Sequence, residues 1–469
     1  MAISKNNSVS DYYDVAIIGA GVVGCAMTRR FTLEGAKTVL LERSADILSG
    51  ASKGNSAILH TGFDAPPGSV EWQCVQAGYQ EYLQIRSAMN LPLLETGAHV
   101  VAWTEADLAK LESIVAKAHD NDVRDVTQIS GDALKQREPN LAAHALGAAW
   151  VPGEFLIDPW SSPLAYLQQA KQNGAHIQFN ADIENAEFDG EFWQVNTPSG
   201  VVKARTVINC AGLWGDELEQ RLLGSSEFVI TPQKGQFVVF DKAAHNLITS
   251  IILPVPSERT KGIVLTRTIF GNLLVGPTSE DQDDRYHATT NTEMLEKLRQ
   301  QAIERIPALA NIPVSATYAG LRPASDKKEY RIKHHADKNW ISVGGIRSTG
   351  LTGALGIAQH IYHLYSQVIK HQALTEPLCS AVPNIAEHEK RDWQEPGYEE
   401  MVCHCELVTK REIEATFTSE IPPGDFGGLK RRTRACMGRC QGFYCSGRVA
   451  ELTEGKLAIP LAVEEISHD

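Results

Sequence analysis

Five of the nine cysteines crowd one C-terminal stretch, at Cys403, Cys405, Cys436, Cys440 and Cys445, whereas Cys25, Cys74, Cys210 and Cys379 are scattered. The opening residues, Met1 to Asp11, are polar and lack the apolar core of a secretion signal. In a chain kept out of oxidising compartments, such clustering favours a metal site over disulfides. The spacing is C-x-C, then 34 residues, then C-x4-C. Four thiolates so arranged suit one iron–sulfur cluster, and they suit a tetrahedral structural zinc equally well. Residue types and spacing leave both open. Cys436 is a fifth thiol in the same stretch. His404, flanked by two candidate ligands, is expected to be solvated or to support them.

The other chemistry-bearing stretch lies near the N-terminus. Asp14-Val-Ala-Ile-Ile-Gly-Ala-Gly-Val-Val-Gly-Cys25 reads as a buried strand, a glycine turn and a helix, and Leu40-Leu-Glu42 closes a second strand on an acid. Gly19 makes the tight turn, Gly21 lets the backbone approach a pyrophosphate, and Gly24 lets the helix pack on the strand. The helix N-terminus offers unpaired N–H groups and a positive dipole end to the phosphates. Glu42 follows Gly24 by 18 residues, where a carboxylate can accept hydrogen bonds from a ribose. With Gly35 as a helix stop, the unit is expected to bind a dinucleotide.

A second glycine-rich turn, Arg347-Ser-Thr-Gly-Leu-Thr-Gly353, follows a strand at Trp340–Gly345 and opens a helix reaching about Ile369. It repeats the anion-binding logic of the first. The loop from Ser49 to Asp64 is rich in small and hydroxylated residues and has no regular period before Ala57. Such a loop can lay backbone and hydroxyls against a ligand, and it carries His60, a side chain that titrates near neutrality.

These segments need a frame, and 469 residues suggest two or three domains with 43% apolar content to fill their cores. The net charge of −13 argues against nucleic acid as a partner and against charge-driven binding to an acidic membrane, while leaving room for a local basic pocket. No uninterrupted apolar run of about 18 residues occurs, so a membrane span is not expected. The expected location is cytoplasmic, with any membrane association made through a partner. Helices are predicted at Trp72–Ala88, Ala106–Ala118 and Thr292–Ile306, and a strand over Val201–Gly212 ends on small residues. From Thr231 to Pro277 the texture is β, as for a sheet inserted into the first domain. His371 to Glu399, with Pro377, Pro383 and Pro396, reads as a linker.

With these residues laid out, the chain resembles the D-amino-acid-oxidase-like flavoprotein superfamily over about residues 12 to 370. Within it, the likeness is to the FAD-dependent glycerol-3-phosphate dehydrogenase and L-2-hydroxyglutarate dehydrogenase group. It rests on Gly19-Ala-Gly-Val-Val-Gly24 with Glu42, Gly54-Asn-Ser-Ala-Ile-Leu-His60 and Val207-Ile-Asn-Cys-Ala-Gly-Leu-Trp214. Lys234-Gly-Gln236, Lys261-Gly-Ile263, Gly271-Asn-Leu-Leu-Val-Gly-Pro277, Gly320-Leu-Arg322 and Gly345-Ile-Arg-Ser-Thr-Gly-Leu-Thr352 complete it. The tail resembles the bacterioferredoxin-associated ferredoxin type of [2Fe–2S] domain, through Cys403-His-Cys405-Glu, Thr433-Arg434 and Met437-Gly-Arg-Cys440-Gln-Gly-Phe-Tyr-Cys445. That likeness favours a [2Fe–2S] cluster over zinc, on Cys403, Cys405, Cys440 and Cys445. Cys436 stands where the pattern has a small residue.

The resemblance implies an α/β (α+β) protein: a Rossmann-like FAD-binding domain, an inserted, mainly antiparallel substrate-domain sheet, and a small helical cysteine-cluster domain. The implied division is 12–95, 140–215 and 330–372 for FAD, 96–139 and 216–329 for substrate, a linker at 373–398, and the cluster domain at 399–469. FAD would be held by Gly19, Gly21, Val22, Val23, Gly24, Glu42 and Arg43, and by Ser49, Ser52, Asn55, Ser56 and Ile58 of the loop. Ile183, Cys210, Ala211, Gly212 and Trp214 would add to its site, as would Gly345, Ile346, Gly350, Leu351 and Thr352. His60 is the implied base, and Arg322 and Arg347 the clamps on a substrate anion, with Lys261 and Arg267 adding charge. The implied reaction is oxidation of a small anionic secondary alcohol, glycerol 3-phosphate first. L-2-hydroxyglutarate, another 2-hydroxy acid, or an opine or amino acid is the alternative substrate. Electrons would pass through the cluster to a partner subunit or quinone-linked protein.

Overall fold

The computed structural model describes residues 12–256 and 262–461. The readings made on Met1–Asp11 and on Lys261 lie outside the described residues, as does the end of the tail beyond 461.

Strand β1 (Tyr13–Ile18) runs into helix α1 (Val22–Leu33) and returns as β2 (Thr38–Leu41), parallel to β1 with Val15 beside Thr38 and Ile18 beside Leu41. Val15 and Ile17 face a helical core with Phe31 and Leu355, while Ala16 and Ile18 face a second core with Trp193 and Trp340. The strand pleat sends successive side chains to opposite faces, and both faces are covered, so the sequence is one continuous apolar run.

Helix α2 (Val70–Met89) lies on the helical side of this sheet. Beyond β1, strand β3 (Gly200–Asn209) continues the sheet in parallel, and a hairpin of Asn185–Phe188 and Trp193–Thr197 extends it antiparallel. The eight-stranded whole has its parallel strand ends at Ile18, Leu41 and Asn209 on one edge, where the glycine turn begins.

The second sheet has nine strands. Its spine is β4 (Ile230–Phe240) paired antiparallel with β5 (Val314–Ser325), from Ile230 beside Ser325 to Phe240 beside Val314. The inserted sheet is thus mainly antiparallel, as expected. One boundary is corrected: Gly147–Val151, expected with residues 140–215 in the FAD domain, pairs with Ala98–Ala102 and Thr127–Ser130 in the second sheet. The predicted helix at Ala106–Ala118 is also two pieces, Glu105–Leu108 and Leu111–Asp120, because the Lys110 N–H tightens back to the Asp107 carbonyl.

Strand β6 (Trp340–Gly344) returns the chain to β3, and Gly345 (φ +68°) turns it into helix α3 (Gly350–Ser366). Helices α2 and α3 meet backbone to backbone, since a Cβ on Gly78 would lie 2.1 Å from the Thr352 carbonyl oxygen. Residues 373–398 contain no helix or strand beyond a short turn at Asp392–Gln394. They are nevertheless a packed strap, with Val382, Ile385 and Ala386 buried and the Val382 N–H bonded to the Met89 carbonyl.

The tail has its own core of Val402, Val408, Ile413, Leu429 and Val449, under helices at Lys410–Thr416, Phe426–Thr433 and Ser446–Thr453. No helix among the described residues is long and apolar enough to cross a membrane.

Candidate functional site

A cavity of about 1540 Å³ runs from the glycine turn to the face of the second sheet. At the turn, Gly19 has φ +99°, and a Cβ there would strike the Cys210 carbonyl oxygen at 2.7 Å. A Cβ on Gly24 would lie 1.8 Å from the Gly19 carbonyl oxygen. These two glycines therefore bring β3, the turn and α1 into backbone contact. The Glu42 carboxylate is pinned beneath the turn, accepting the N–H groups of Ala20 at 2.6 Å and Ser44 at 2.8 Å. At the start of α1, the Val22 N–H donates to Ser52 Oγ at 3.0 Å, tying the small-residue loop to the helix N-terminus.

The Arg43 guanidinium lies 4.6 Å over the Trp214 ring, and Tyr286 packs on Trp214 at 4.4 Å between ring centroids. This cation–aromatic stack forms one wall of the cavity end. Gly19, Gly21, Val22, Val23, Glu42, Arg43, Ser49, Ser52, Asn55, Ser56 and Ile58 all line the cavity. So do Ile183, Cys210, Ala211, Gly212, Trp214, Gly345, Ile346, Gly350 and Leu351. Two further residues of that expected set, Gly24 and Thr352, do not line the cavity. Gly24 lies beneath the turn, and Thr352 is buried behind the loop, where its Oγ1 accepts the His60 N–H at 3.0 Å. Both shape the wall from behind.

The loop reaches the second sheet at Gly54, where a Cβ would come within 3.2 Å of Gly320 Cα on β5. The Tyr318 hydroxyl, also on β5, donates to the Asn55 carbonyl at 2.8 Å. Burial pushes that phenol's pKa up, so it stays a donor. The loop thereby spans both sheets and delivers His60 to the cavity wall.

His60 Nδ1 is 2.8 Å from Glu154 Oε2, and Glu154 is fully buried. The other Glu154 oxygen accepts the Thr61 N–H at 2.7 Å and the Thr61 hydroxyl at 2.9 Å. A carboxylate fixed in this way holds the imidazole proton on Nδ1 and makes Nε2 the basic nitrogen. Glu154 escaped the sequence reading. Its signal was an acid directly after the Pro152-Gly153 turn, inside the apolar run from Trp150 to Ile157.

Arg322 and Arg347 also line the cavity. Among the described residues neither makes an ion pair with a carboxylate; Arg347 donates to the Lys328 carbonyl at 2.9 Å, and Arg322 reaches the Thr278 carbonyl only at 3.5 Å. Burial, and then the charge of Arg347, pull the Arg322 pKa below the ordinary guanidinium value. Gly235 makes room for it, since a Cβ there would sit 2.8 Å from Arg322 Nη2. Two neighbouring cations in a recessed wall are costly unless an anion joins them. Arg267, expected to add charge, instead donates to the Thr249 carbonyl and does not line the cavity.

In the tail, the Cys403 thiol interacts with that of Cys445, whose sulfur also meets Cys436 Sγ at 3.4 Å, and the Cys405 thiol interacts with that of Cys440. The Tyr444 N–H, with those of Gly442 and Phe443, points at Cys440 and holds its thiol below the ordinary range. Burial pushes Cys403 and Cys405 up, and Cys445 to about 11. The N–H groups of Cys436 and Glu406 are aimed at Cys403. Amides converging on paired thiols fit an anionic two-iron cluster, which takes two thiolates at each iron. Among the described residues no three His, Cys, Asp or Glu side chains converge on a single-ion site. His404 is exposed, as expected.

The sequence matches the FAD dependent oxidoreductase family over residues 14–364 and the BFD-like [2Fe-2S] binding domain over residues 401–454. It is 29% identical over 466 residues to a glycerol 3-phosphate dehydrogenase of Caloramator mitchellensis, covering 97% of each chain. It is 27% identical to a glycerol 3-phosphate oxidase of Mycoplasma pneumoniae, over 75% of this chain and 94% of that one. The fold is similar to that of the FAD-bound L-alpha-glycerophosphate oxidase from Mycoplasma pneumoniae, with a TM-score of 0.72 at 24% identity over 80% of this chain and 100% of that one. The chain therefore belongs to the FAD-dependent oxidoreductase family, and it carries a BFD-like [2Fe–2S]-binding domain behind the flavoenzyme fold.

Proposed function

We propose that the chain is a dehydrogenase for a small anionic secondary alcohol, with glycerol 3-phosphate the first candidate. The observation that carries this reading is the pair Arg322 and Arg347, two cations facing the cavity without a carboxylate partner among the described residues. Guanidinium groups bind phosphate in a fork, and here they would fix the anionic end of the substrate. His60 would take the hydroxyl proton at Nε2, and Glu154 would hold the ring and offset the charge it gains. FAD, held by the cavity residues named above, supplies the hydride acceptor when bound, and the [2Fe–2S] cluster on Cys403, Cys405, Cys440 and Cys445 supplies a one-electron site.

A guanidinium pair binds a carboxylate as well, which keeps L-2-hydroxyglutarate as the second reading. An L-2-hydroxyglutarate dehydrogenase of Caenorhabditis elegans is 24% identical over 63% of this chain. Opines and amino acids come third. In this reading the parallel-sheet region holds the cofactor, the second sheet holds the substrate, and the tail serves an electron-accepting partner subunit or quinone-linked protein. Support for such a partner comes from the loop between Cys440 and Cys445, which presents Phe443 and Tyr444 at 81% and 82% exposure. The similarity to the glycerol 3-phosphate dehydrogenase also extends through the tail.

Anaerobic bleaching of the flavin absorbance tests the proposal. Glycerol 3-phosphate is expected to bleach it within a turnover. Bleaching by L-2-hydroxyglutarate alone would replace the first reading with the second.

A further inference from the structure

The fifth thiol of the tail has no part in the site described so far, yet it is built into it. Cys436 is buried, and its Sγ lies 3.4 Å from that of Cys445. Its N–H is aimed at the sulfurs of both Cys403 and Cys445, the two thiols of one pair. The loop carrying Cys440 and Cys445 passes directly over it: a Cβ on Gly442 would lie 3.4 Å from Cys436 Sγ. The residue has φ +63°, a backbone conformation that favours glycine. A cysteine held there keeps its sulfur in contact with the sulfur of one candidate ligand, Cys445. The other pair, Cys405 and Cys440, has no such third sulfur at hydrogen-bond distance among the described residues.

We propose that Cys436 is a reserve ligand of the [2Fe–2S] cluster: when the sulfur of Cys445 leaves its iron, the thiolate of Cys436 takes the vacated position. The exchange is balanced without an oxidant. One iron–sulfur bond to Cys445 breaks, one to Cys436 forms, the thiol proton passes from Cys436 to Cys445, and both irons keep their oxidation states. The two sulfurs lie 3.4 Å apart, so the entering thiol already stands beside the leaving one. The inference rests on the cluster assignment made above.

Serine variants of the full-length chain, purified anaerobically, test it through iron and acid-labile sulfide content and the electron paramagnetic resonance signal of the reduced cluster. Flavin absorbance in each variant reports that the larger part of the chain is folded. Wild type should hold about two irons per chain. Cys405→Ser, on the pair without a spare thiol, should lose most of its iron. Cys445→Ser should keep more than half, with shifted g-values, because a different cysteine completes the set. The double variant C436A/C445S should fall to the level of C405S, and C436A alone should match wild type. Two results overturn the proposal: C445S losing iron as fully as C405S, or the double variant retaining as much as C445S. Zinc without iron in wild type would overturn the cluster assignment itself, a failure that the variants cannot mimic.

Discussion

The carboxylate of Asp46 and the guanidinium of Arg432 form a two-bond ion pair, 2.8 Å at each bond, with both side chains buried. Asp46 belongs to the loop after Glu42; Arg432 lies on the tail helix Phe426–Thr433. The same loop is bonded to the glycine turn, where the Leu48 N–H donates to the Ala20 carbonyl at 3.0 Å. The Gly424 N–H also reaches Asp46, and a Cβ on Gly424 would lie 1.8 Å from the Ala45 carbonyl oxygen. The cluster domain is therefore seated on the segment that shapes the dinucleotide turn.

Removing one partner of this pair leaves a buried charge without compensation, which costs about 3–5 kcal/mol. In Arg432→Met that cost falls on docking of the tail. We expect the strap at 373–398 to become accessible to protease and FAD binding to weaken. Limited proteolysis and FAD titration of the apoprotein measure the two effects. Unchanged digestion would mean that other contacts, such as Arg439 with Asp241, suffice to hold the tail.

Gly24→Ala tests the turn from beneath. The new methyl group has no space beside the Gly19 carbonyl, so α1 must shift away from β1. Overpacking of this kind costs about 1–3 kcal/mol, equivalent to about 10–100-fold weaker FAD binding. Equilibrium dialysis of FAD against the variant measures the loss. Wild-type affinity would show that the helix position does not matter to the cofactor.

How much of this was legible in the sequence follows from where each contact lies in the chain. The glycine turn was readable because Gly19, Gly21, Gly24 and Glu42 act within one βαβ unit, and local steric demands dictate their types. The tail's candidate ligands could be named because four cysteines at C-x-C and C-x4-C spacing point to a metal or cluster site, while the preference for a cluster over zinc came from the resemblance. Glu154 was not, since it meets His60 across 94 positions and no local pattern marks a partner at that distance. Asp46 and Arg432, 386 positions apart, were hidden for the same reason. The boundary at Gly147–Val151 failed because an apolar strand does not declare which of two sheets it joins; register is a tertiary property. The helix Phe426–Thr433 was masked by Gly427 and Gly428, whose low propensity is overcome by the Asp425 cap on the Gly428 N–H.

Acid sensitivity should come in part from His99, fully buried on the strand Ala98–Ala102. Its Nδ1–H donates to Ser250 Oγ at 2.7 Å, Ser250 donates on to Glu138, and the ring packs on Trp150. Burial, and then the charge of Arg137, lower its pKa from 6.5 to about 4. The unfolded chain therefore binds this proton at a higher pH than the folded one. The neutral ring's stability is fully present above pH 6.5 and is lost as pH falls toward 4, to about 3 kcal/mol in all. Urea midpoints for wild type and His99→Gln across that window check this: the variant should show the shallower decline. Parallel curves would remove His99 from the account.

The guanidinium pair can be read apart by substitution. Arg322→Met and Arg347→Met each remove a charged hydrogen-bonding group worth about 1.5–3 kcal/mol to an anion, which predicts about 10–100-fold weaker substrate binding. Arg322→Met should also relieve like-charge repulsion in the empty cavity and leave the folded state no less stable. Stopped-flow flavin reduction against substrate concentration separates affinity from rate. A change in limiting rate with unaltered affinity would place the arginine on the reacting centre and not on the anion.

Glu154→Gln isolates the dyad. Glutamine keeps the volume and one oxygen for the Thr61 N–H and hydroxyl, but it no longer offers His60 a charged acceptor. The imidazole then loses both its fixed tautomer and the charge that offsets protonation at Nε2. General-base assistance contributes about 10²–10⁴-fold to such steps, so the limiting rate of flavin reduction should fall by about 10²-fold while substrate affinity holds. His60→Asn should fall at least as far, and the double variant no further than His60→Asn, because Glu154 acts only through the ring. Additive losses in the double variant would give Glu154 a separate role in the cavity and break the dyad.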